Sequence, residues 1–198
     1  MPTNYRALTI DRFLADVASE RVAPAGVSAA AVTGALGAAL CEMACIHTLE
    51  ATASSSDDAA ALSDAREELS RYRAHCLRLA DADAAAVTGL FSADADGGES
   101  GVKRAVGVPF TVADACASVL ELAVDVTEAA TYRTVPDTVT GARLAHSALG
   151  SCATTVVWNL DSVADQSFAT SVGAATRTIE RRGDELIEAA RTEADRRR

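Results

Sequence analysis

An all-α fold is predicted for this chain of 198 residues, and three observations predict it. Alanine fills 44 positions, far above ordinary usage, and alanine is the best helix former and a poor strand former. Apolar residues make up 49% of the chain but aromatics only 4%, so the core must be built from small side chains. Turn signals are widely spaced, which leaves long uninterrupted segments between them. The apolar fraction excludes a disordered chain, and 12 Gly with 4 Pro exclude a collagenous or linker-like one. The length suits one domain over 1–198, large enough to bury a core.

The elements follow in order. Thr9 or Asp11 caps a first helix that runs to about Ser19. RVAPAG at 21–26 is a turn, and Ser28 caps or opens a very apolar helix reaching about Ala51. Within it Ala30, Gly34 and Ala38 recur at i, i+4 and i+8, a small-residue stripe that admits a second backbone closely. The stretch Val27 to Leu49 is apolar enough to raise a membrane span. Its apolarity is mostly alanine, interrupted by Gly34, Gly37, Glu42 and His47, so a buried core helix is expected.

SSSDD at 54–58 is a loop and cap for a long helix over about 58–91. SADADGGESG at 92–101 is an acidic, glycine-rich loop. Pro109 is expected to break or kink any helix that begins before it, which places the next helix from Thr111 to Thr131. TYRTVPD is a turn in which Asp137 caps the following helix. That helix carries GARLAHSALGSCATTVVWNL and is expected to continue through DSVAD toward the end. The final segment is amphipathic, with Arg181–Glu185 and Glu193–Arg197 at i, i+4 and a terminal RRR at the negative end of the helix dipole. No internal repeat is evident. The architecture expected is an elongated bundle of long antiparallel helices.

Charge and motifs exclude several functions. Twenty-eight acids against 18 bases give a net charge of −10, which repels phosphate backbones and anionic lipid, so neither nucleic acid nor membrane is an expected partner. Seventeen arginines stand beside the single Lys103, and the excess of Asp over Lys points to a protein adapted to high salt. Cys41, Cys45, Cys76, Cys116 and Cys152 are an odd set without a CxxC pair, expected to be buried thiols of a reducing cytoplasm. The N-terminus lacks a basic-then-apolar signal pattern. There is no P-loop, GxGxxG, GxSxG or HExxH, and none of His47, His75 or His146 follows a Glu by three residues as di-metal bundles require. No metal or cofactor is expected.

One segment is more specific. Phe13 to Leu49, FLADVASERVAPAGVSAAAVTGALGAALCEMACIHTL, has a helix, a Pro-Gly turn ending in Ser28, the run GALGAAL and then Met43 and Thr48. LADADAAAV brings Asp83, VPF spans 108–110, and Asp137 is followed 22 residues on by Asn159-Leu160. In this order the features resemble the cyclodeaminase/cyclohydrolase family over about Asp11 to Asp165. That family includes the cyclodeaminase part of formiminotransferase-cyclodeaminase and free-standing methenyltetrahydrofolate cyclohydrolases. Departures are the turn, where two glycines of the family's PGGGS are Ala25 and Val27, the missing lysines after Thr48, and Pro136 in place of the Ser before Asp137.

The resemblance implies an all-helical subunit that forms a cytoplasmic homodimer and binds a small folate near the dimer interface, with no cofactor beyond that tetrahydrofolate substrate. Cyclohydrolase adds water to the methenyl carbon; cyclodeaminase closes the formimino group onto the ring with loss of ammonia. Both need proton transfer at N5 or N10. Asp83 is the candidate acid/base, because burial on an alanine-lined helix face would raise its pKa. Pro24, Gly26 and Ser28 form the turn expected to meet substrate, with the helix N-terminus suited to the anionic glutamyl tail. Asp137 is placed on the pterin or a water, or caps its helix. Arg104 or Arg133 would supply the charge of the absent lysines, and Asn159 is either a substrate contact or a polar link between helices. The lack of a formiminotransferase domain leans toward cyclohydrolase. Asp83, Ser28 and Asp137 are expected to converge on one cleft. The alternative is a family member that kept the helical dimer and lost catalysis.

Overall fold

Every regular element among the described residues is helical. The computed structural model describes residues 4–51, 57–91 and 98–198. A short 3₁₀ turn (Tyr5–Ala7) precedes α1 (Ile10–Val17), followed by α2 (Gly26–Ala51), α3 (Asp57–Phe91), α4 (Gly98–Ala129), α5 (Val135–Leu160) and α6 (Gln166–Arg196). Thr9 caps α1, its hydroxyl accepting the Arg12 N–H at 3.2 Å. With 35 residues, α3 is about 52 Å long, so the bundle is elongated.

Helix α2 is the centre, packed against α3, α4 and α5. Ser28 near its start meets Asp83 near the end of α3, while Cys41 near its end meets Thr138 near the start of α5, so both neighbours run antiparallel to it. Ala30, Gly34 and Ala38 are all buried, as the stripe predicts. The closest backbone approach lies off that stripe: a Cβ on Gly37 would sit 2.6 Å from the Gly141 carbonyl oxygen of α5. One on Gly34 would sit 2.6 Å from Cys116 Sγ of α4. Both α2 and α4 are long and apolar enough to cross a membrane. Here they supply the bundle interior, with Ala31, Ala38, Cys41, Val112, Cys116 and Leu120 fully buried. All five cysteines are buried and unpaired.

Five expectations are corrected. Pro109 does not break the helix or precede its start; α4 is continuous through it from Gly98. A proline has no N–H, so the Ala105 carbonyl one turn back loses its helical partner. The Asn159 side-chain amide of α5 donates to that carbonyl at 2.8 Å and replaces the missing bond. Residues 98–101, expected in a loop, form the first turn of α4, where the Glu99 carboxylate accepts the Ala164 and Asp165 N–H groups. The rest of that loop, and most of SSSDD, lie outside the described residues.

DSVAD does not continue α5, which ends at Leu160; Asp165 instead caps α6 by accepting the Phe168 N–H at 3.0 Å. Asp137 is not a cap but sits inside the first turn of α5, after Thr134 and Pro136. In α6, Glu193 pairs with Arg196 rather than Arg197, whose guanidinium donates to the Ala130 carbonyl beyond the end of α4.

The Pro109 account is testable by a double-mutant cycle. Asn159→Ala is expected to cost about 1–3 kcal/mol in urea denaturation, the usual penalty of an unsatisfied carbonyl. In a Pro109→Ala background residue 109 regains an N–H, so the same substitution should cost clearly less. Equal costs in the two backgrounds would show that Asn159 does not serve that carbonyl.

Candidate functional site

The start of α2 and the last turns of α3 meet at a buried carboxyl group. Ser28 is fully buried, Asp83 is 4% exposed, and the Ser28 hydroxyl donates to Asp83 Oδ2 at 2.6 Å. Ser28 therefore does not cap its own helix; Asp83 reaches across from α3 to the positive end of α2. Burial pushes the Asp83 carboxyl up from its ordinary value, with the Ser28 hydroxyl and backbone N–H opposing the shift. Cys152 of α5 completes this interior, its thiol pushed up to about 12 by burial and then by the nearby Asp83 and Cys76.

Above the pair, the N-terminal segment folds back over α3. The Tyr5 N–H donates to Asp81 Oδ1 at 2.7 Å, and Arg6 pairs with the same carboxylate at 3.2 Å. The Tyr5 ring packs edge-on against Phe13, with centroids 5.5 Å apart. Its hydroxyl is pushed up to about 12 by burial and by the charges of Asp83, Asp81 and Asp16. Asp16 is itself buried and is held by Arg12 at 3.1 Å and Arg21 at 3.2 Å. Tyr5, Arg12, Asp16, Arg21, Pro24 and Thr88 line a cavity of about 340 Å³, within the range of small-ligand sites.

This arrangement can move a proton. A carboxyl group deprived of water and of any paired cation holds its proton more tightly than a surface acid. Asp83 and Ser28 do not themselves line the cavity; Tyr5, on its wall beside two guanidinium groups, lies within range of the Asp83 charge.

Residues 9–178 match the formiminotransferase-cyclodeaminase family. The chain belongs to that family. In structure it is similar to formiminotetrahydrofolate cyclodeaminase from Thermotoga maritima, with a TM-score of 0.89 over 96% of this chain and 97% of that one. Identity between the two is 20%, so this likeness establishes the fold. No curated protein matches the chain.

The family's Pro-Gly turn survives its substitutions here. Among the described residues no backbone has positive φ, so neither Ala25 nor Val27 is strained, and Val27 is buried in the core. Gly26 is exposed at the mouth of α2, with nothing within 4 Å of where a Cβ would stand. Pro24 is buried against the cavity.

The other positions named from the sequence do not join this site within the subunit. Asp137 sits beside Thr138, whose carbonyl accepts from Cys41; Cys41 is 13 residues beyond Ser28, about 20 Å along α2. The single cleft expected for Asp83, Ser28 and Asp137 is thus a pair, with Asp137 at the far end. Arg104 is exposed on α4 outside the cavity, Asn159 is engaged with Ala105, and Arg133 lines a different cavity near the start of α5.

Tyr5, Arg12, Asp16 and Arg21 were not singled out by the sequence. Asp16 had a legible signal: it lies three residues after Phe13 on the buried face of α1, where an acid requires a partner. Tyr5 had none, because its N–H is bonded to a residue 76 positions away.

The Asp83 environment predicts a pH dependence. With a folded-state pKa above the unfolded one, the native state binds more protons between the two values, and stability falls as pH rises through that window. Asn at this position keeps an acceptor for Ser28 and cannot ionise. Urea denaturation of Asp83→Asn against the parent should therefore show the variant gaining relative stability as pH rises above the ordinary carboxylate range of about 4. A difference independent of pH would mean that the carboxyl is not perturbed.

Proposed function

We propose that this family member is a cytoplasmic folate one-carbon enzyme acting on the N5/N10 bridge of tetrahydrofolate, as a methenyltetrahydrofolate cyclohydrolase or a formimidoyltetrahydrofolate cyclodeaminase. The observation that carries the reading is the buried Asp83 carboxyl, hydrogen-bonded to Ser28 at 2.6 Å at the mouth of α2; its charge reaches Tyr5, which lines a cavity of ligand size. The family match and the fold of the Thermotoga cyclodeaminase support it.

In the deaminase direction N10 attacks the formimino carbon and passes its proton to the imino nitrogen, Asp83 gives that nitrogen its second proton, and its bond to the carbon breaks to release ammonia and leave the methenyl cation. In the hydrolase direction water adds to the methenyl carbon and releases one proton to solvent, and Asp83 protonates N5 as its bond to that carbon breaks, regaining a proton from the hydroxyl as the formyl group forms. A carboxyl held above its ordinary range keeps its proton to higher pH than a surface acid and so has one to give. Arg12 and Arg21, on the cavity wall, together carry one positive charge more than the Asp16 they hold, and that excess is available to a substrate carboxylate. This role replaces the one expected for Ser28, whose hydroxyl is engaged with Asp83.

The methenyl chromophore reports both reactions in the near ultraviolet, appearing from 5-formimino-tetrahydrofolate and disappearing on hydrolysis. In molar KCl, in keeping with the acidic composition, one substrate is expected to turn over above background. Asp83→Asn should lower the rate by about a hundredfold or more with its circular dichroism unchanged. Undiminished turnover by that variant, or no turnover of either substrate by the parent, would refute the reading.

The active unit proposed is a homodimer. Helix α2 is apolar on its outward side as well, where Val32, Leu36, Leu40, Met43 and Ile46 form one stripe and Leu36 is 54% exposed. Helices apolar all round are normally covered, and a single stripe pairs with itself about a two-fold axis. Light scattering should give twice the chain mass for the parent and the chain mass for Leu36→Glu. A monomeric parent would overturn the dimer.

A further inference from the structure

A second and larger cavity, of about 760 Å³, lies at the end of the bundle away from Asp83, between the start of α5 and the end of α6. Its charge is the reverse of the rest of the molecule. In a chain of net charge −10, five arginines (Arg133, Arg143, Arg191, Arg197 and Arg198) line it against one acid, Asp195. Arg191 and Arg198 are paired, with Glu188 at 2.8 Å and Asp195 at 3.7 Å. Arg197 is held in place by the Ala130 carbonyl. Among the described residues Arg133 and Arg143 form no ion pair and no side-chain hydrogen bond. The wall between the charges is apolar, made by Val135, Pro136, Val139 and Ala194, with the exposed ring of Tyr132 at the edge.

Solvated arginines on an acidic protein ordinarily settle beside its carboxylates, whose excess here is large. Convergence of unpaired guanidinium groups on one concave surface is the arrangement that captures oxyanions. Their planar forks match carboxylate and phosphate oxygens two at a time. A local positive cleft in a negative surface also focuses the field, so anions repelled elsewhere are drawn to this point. The volume lies within the range of small-molecule sites.

We propose that this cavity binds an organic polyanion, a small molecule with two or more carboxylate or phosphate groups on an apolar body. The site is separate from the Asp83 cavity and does not depend on the folate reading.

Calorimetry on the full chain tests it with three probes: trimesate (a benzene tricarboxylate), citrate and pyrophosphate. Saturable binding with one site per chain is expected, tighter for trimesate than for citrate because only the first has an aromatic body for the apolar wall. Trimesate above pyrophosphate would identify carboxylate as the natural chemistry, and the reverse order phosphate; either order fits the site. The double variant R133Q/R143Q should weaken binding by roughly a hundredfold, about tenfold for each charge-assisted hydrogen bond removed. R177Q/R182Q removes the same charge from another part of α6 and should leave affinity within about twofold. All four arginines are exposed, and unchanged circular dichroism would confirm that both variants fold. No saturable binding by any probe, or equal weakening in the two variants, would overturn the site. Citrate binding as tightly as trimesate would remove the apolar body from the proposal.

Discussion

The backbone contact between α2 and α5 at Gly37 and Gly141 is the constraint on which the rest of the bundle depends. Alanine offers little apolar area, so each buried position contributes less than a leucine would. Close approach compensates through dispersion contacts, which are weak singly and numerous when backbones touch. A single methyl group at Gly37 would press on the Gly141 carbonyl at 2.6 Å and force the two helices apart. Because α2 also packs against α3 and α4, such a shift would pass to each of them. The position of Ser28 against Asp83 is one consequence of how α2 is seated.

A core of nearly identical small side chains leaves helix register weakly specified, since a slide of one turn replaces one alanine with another. Buried polar contacts remove that freedom. Thr127 donates to Thr138 at 2.8 Å between α4 and α5, the Thr48 hydroxyl accepts the Thr131 N–H at 3.1 Å, and Asn159 serves Ala105. Each contact is made at one register only, and among the described residues no buried side-chain polar atom lacks a partner. Ser28 and Asp83 belong to this set by geometry but differ from it in chemistry.

The difference is clearest between the two buried carboxylates. Asp16 is held by two arginines, so its charge is matched where it lies. Asp83 has a hydroxyl and an amide but no cation, and burial raises its pKa. Similar residues at similar depth thus have different tasks available: one organises the cavity wall and the other can hold and release a proton. At the opposite end the cluster around Arg133 and Arg143 gives the same acidic subunit a second electrostatic character.

By itself the sequence determined the helical class, the course of α1 and α2, the burial of the cysteines, and Ser28 and Asp83 as residues to watch. These follow from propensity, capping and periodicity, which act within a turn or two, and from the ordered motifs of the family. Tertiary structure alone decided that α4 passes through Pro109, because the amide that rescues the Ala105 carbonyl comes from 54 residues away. It decided that α5 stops at Leu160 and that Asp165 begins a new helix, where Lys103 and Glu99 of α4 meet the turn. It also separated Asp137 from Asp83 and brought Tyr5, Arg12, Asp16 and Arg21 to the cavity instead. The physical reason is common to all of these: whether a polar group is satisfied, charged or stripped of water depends on what packs opposite it, and local sequence does not contain that partner.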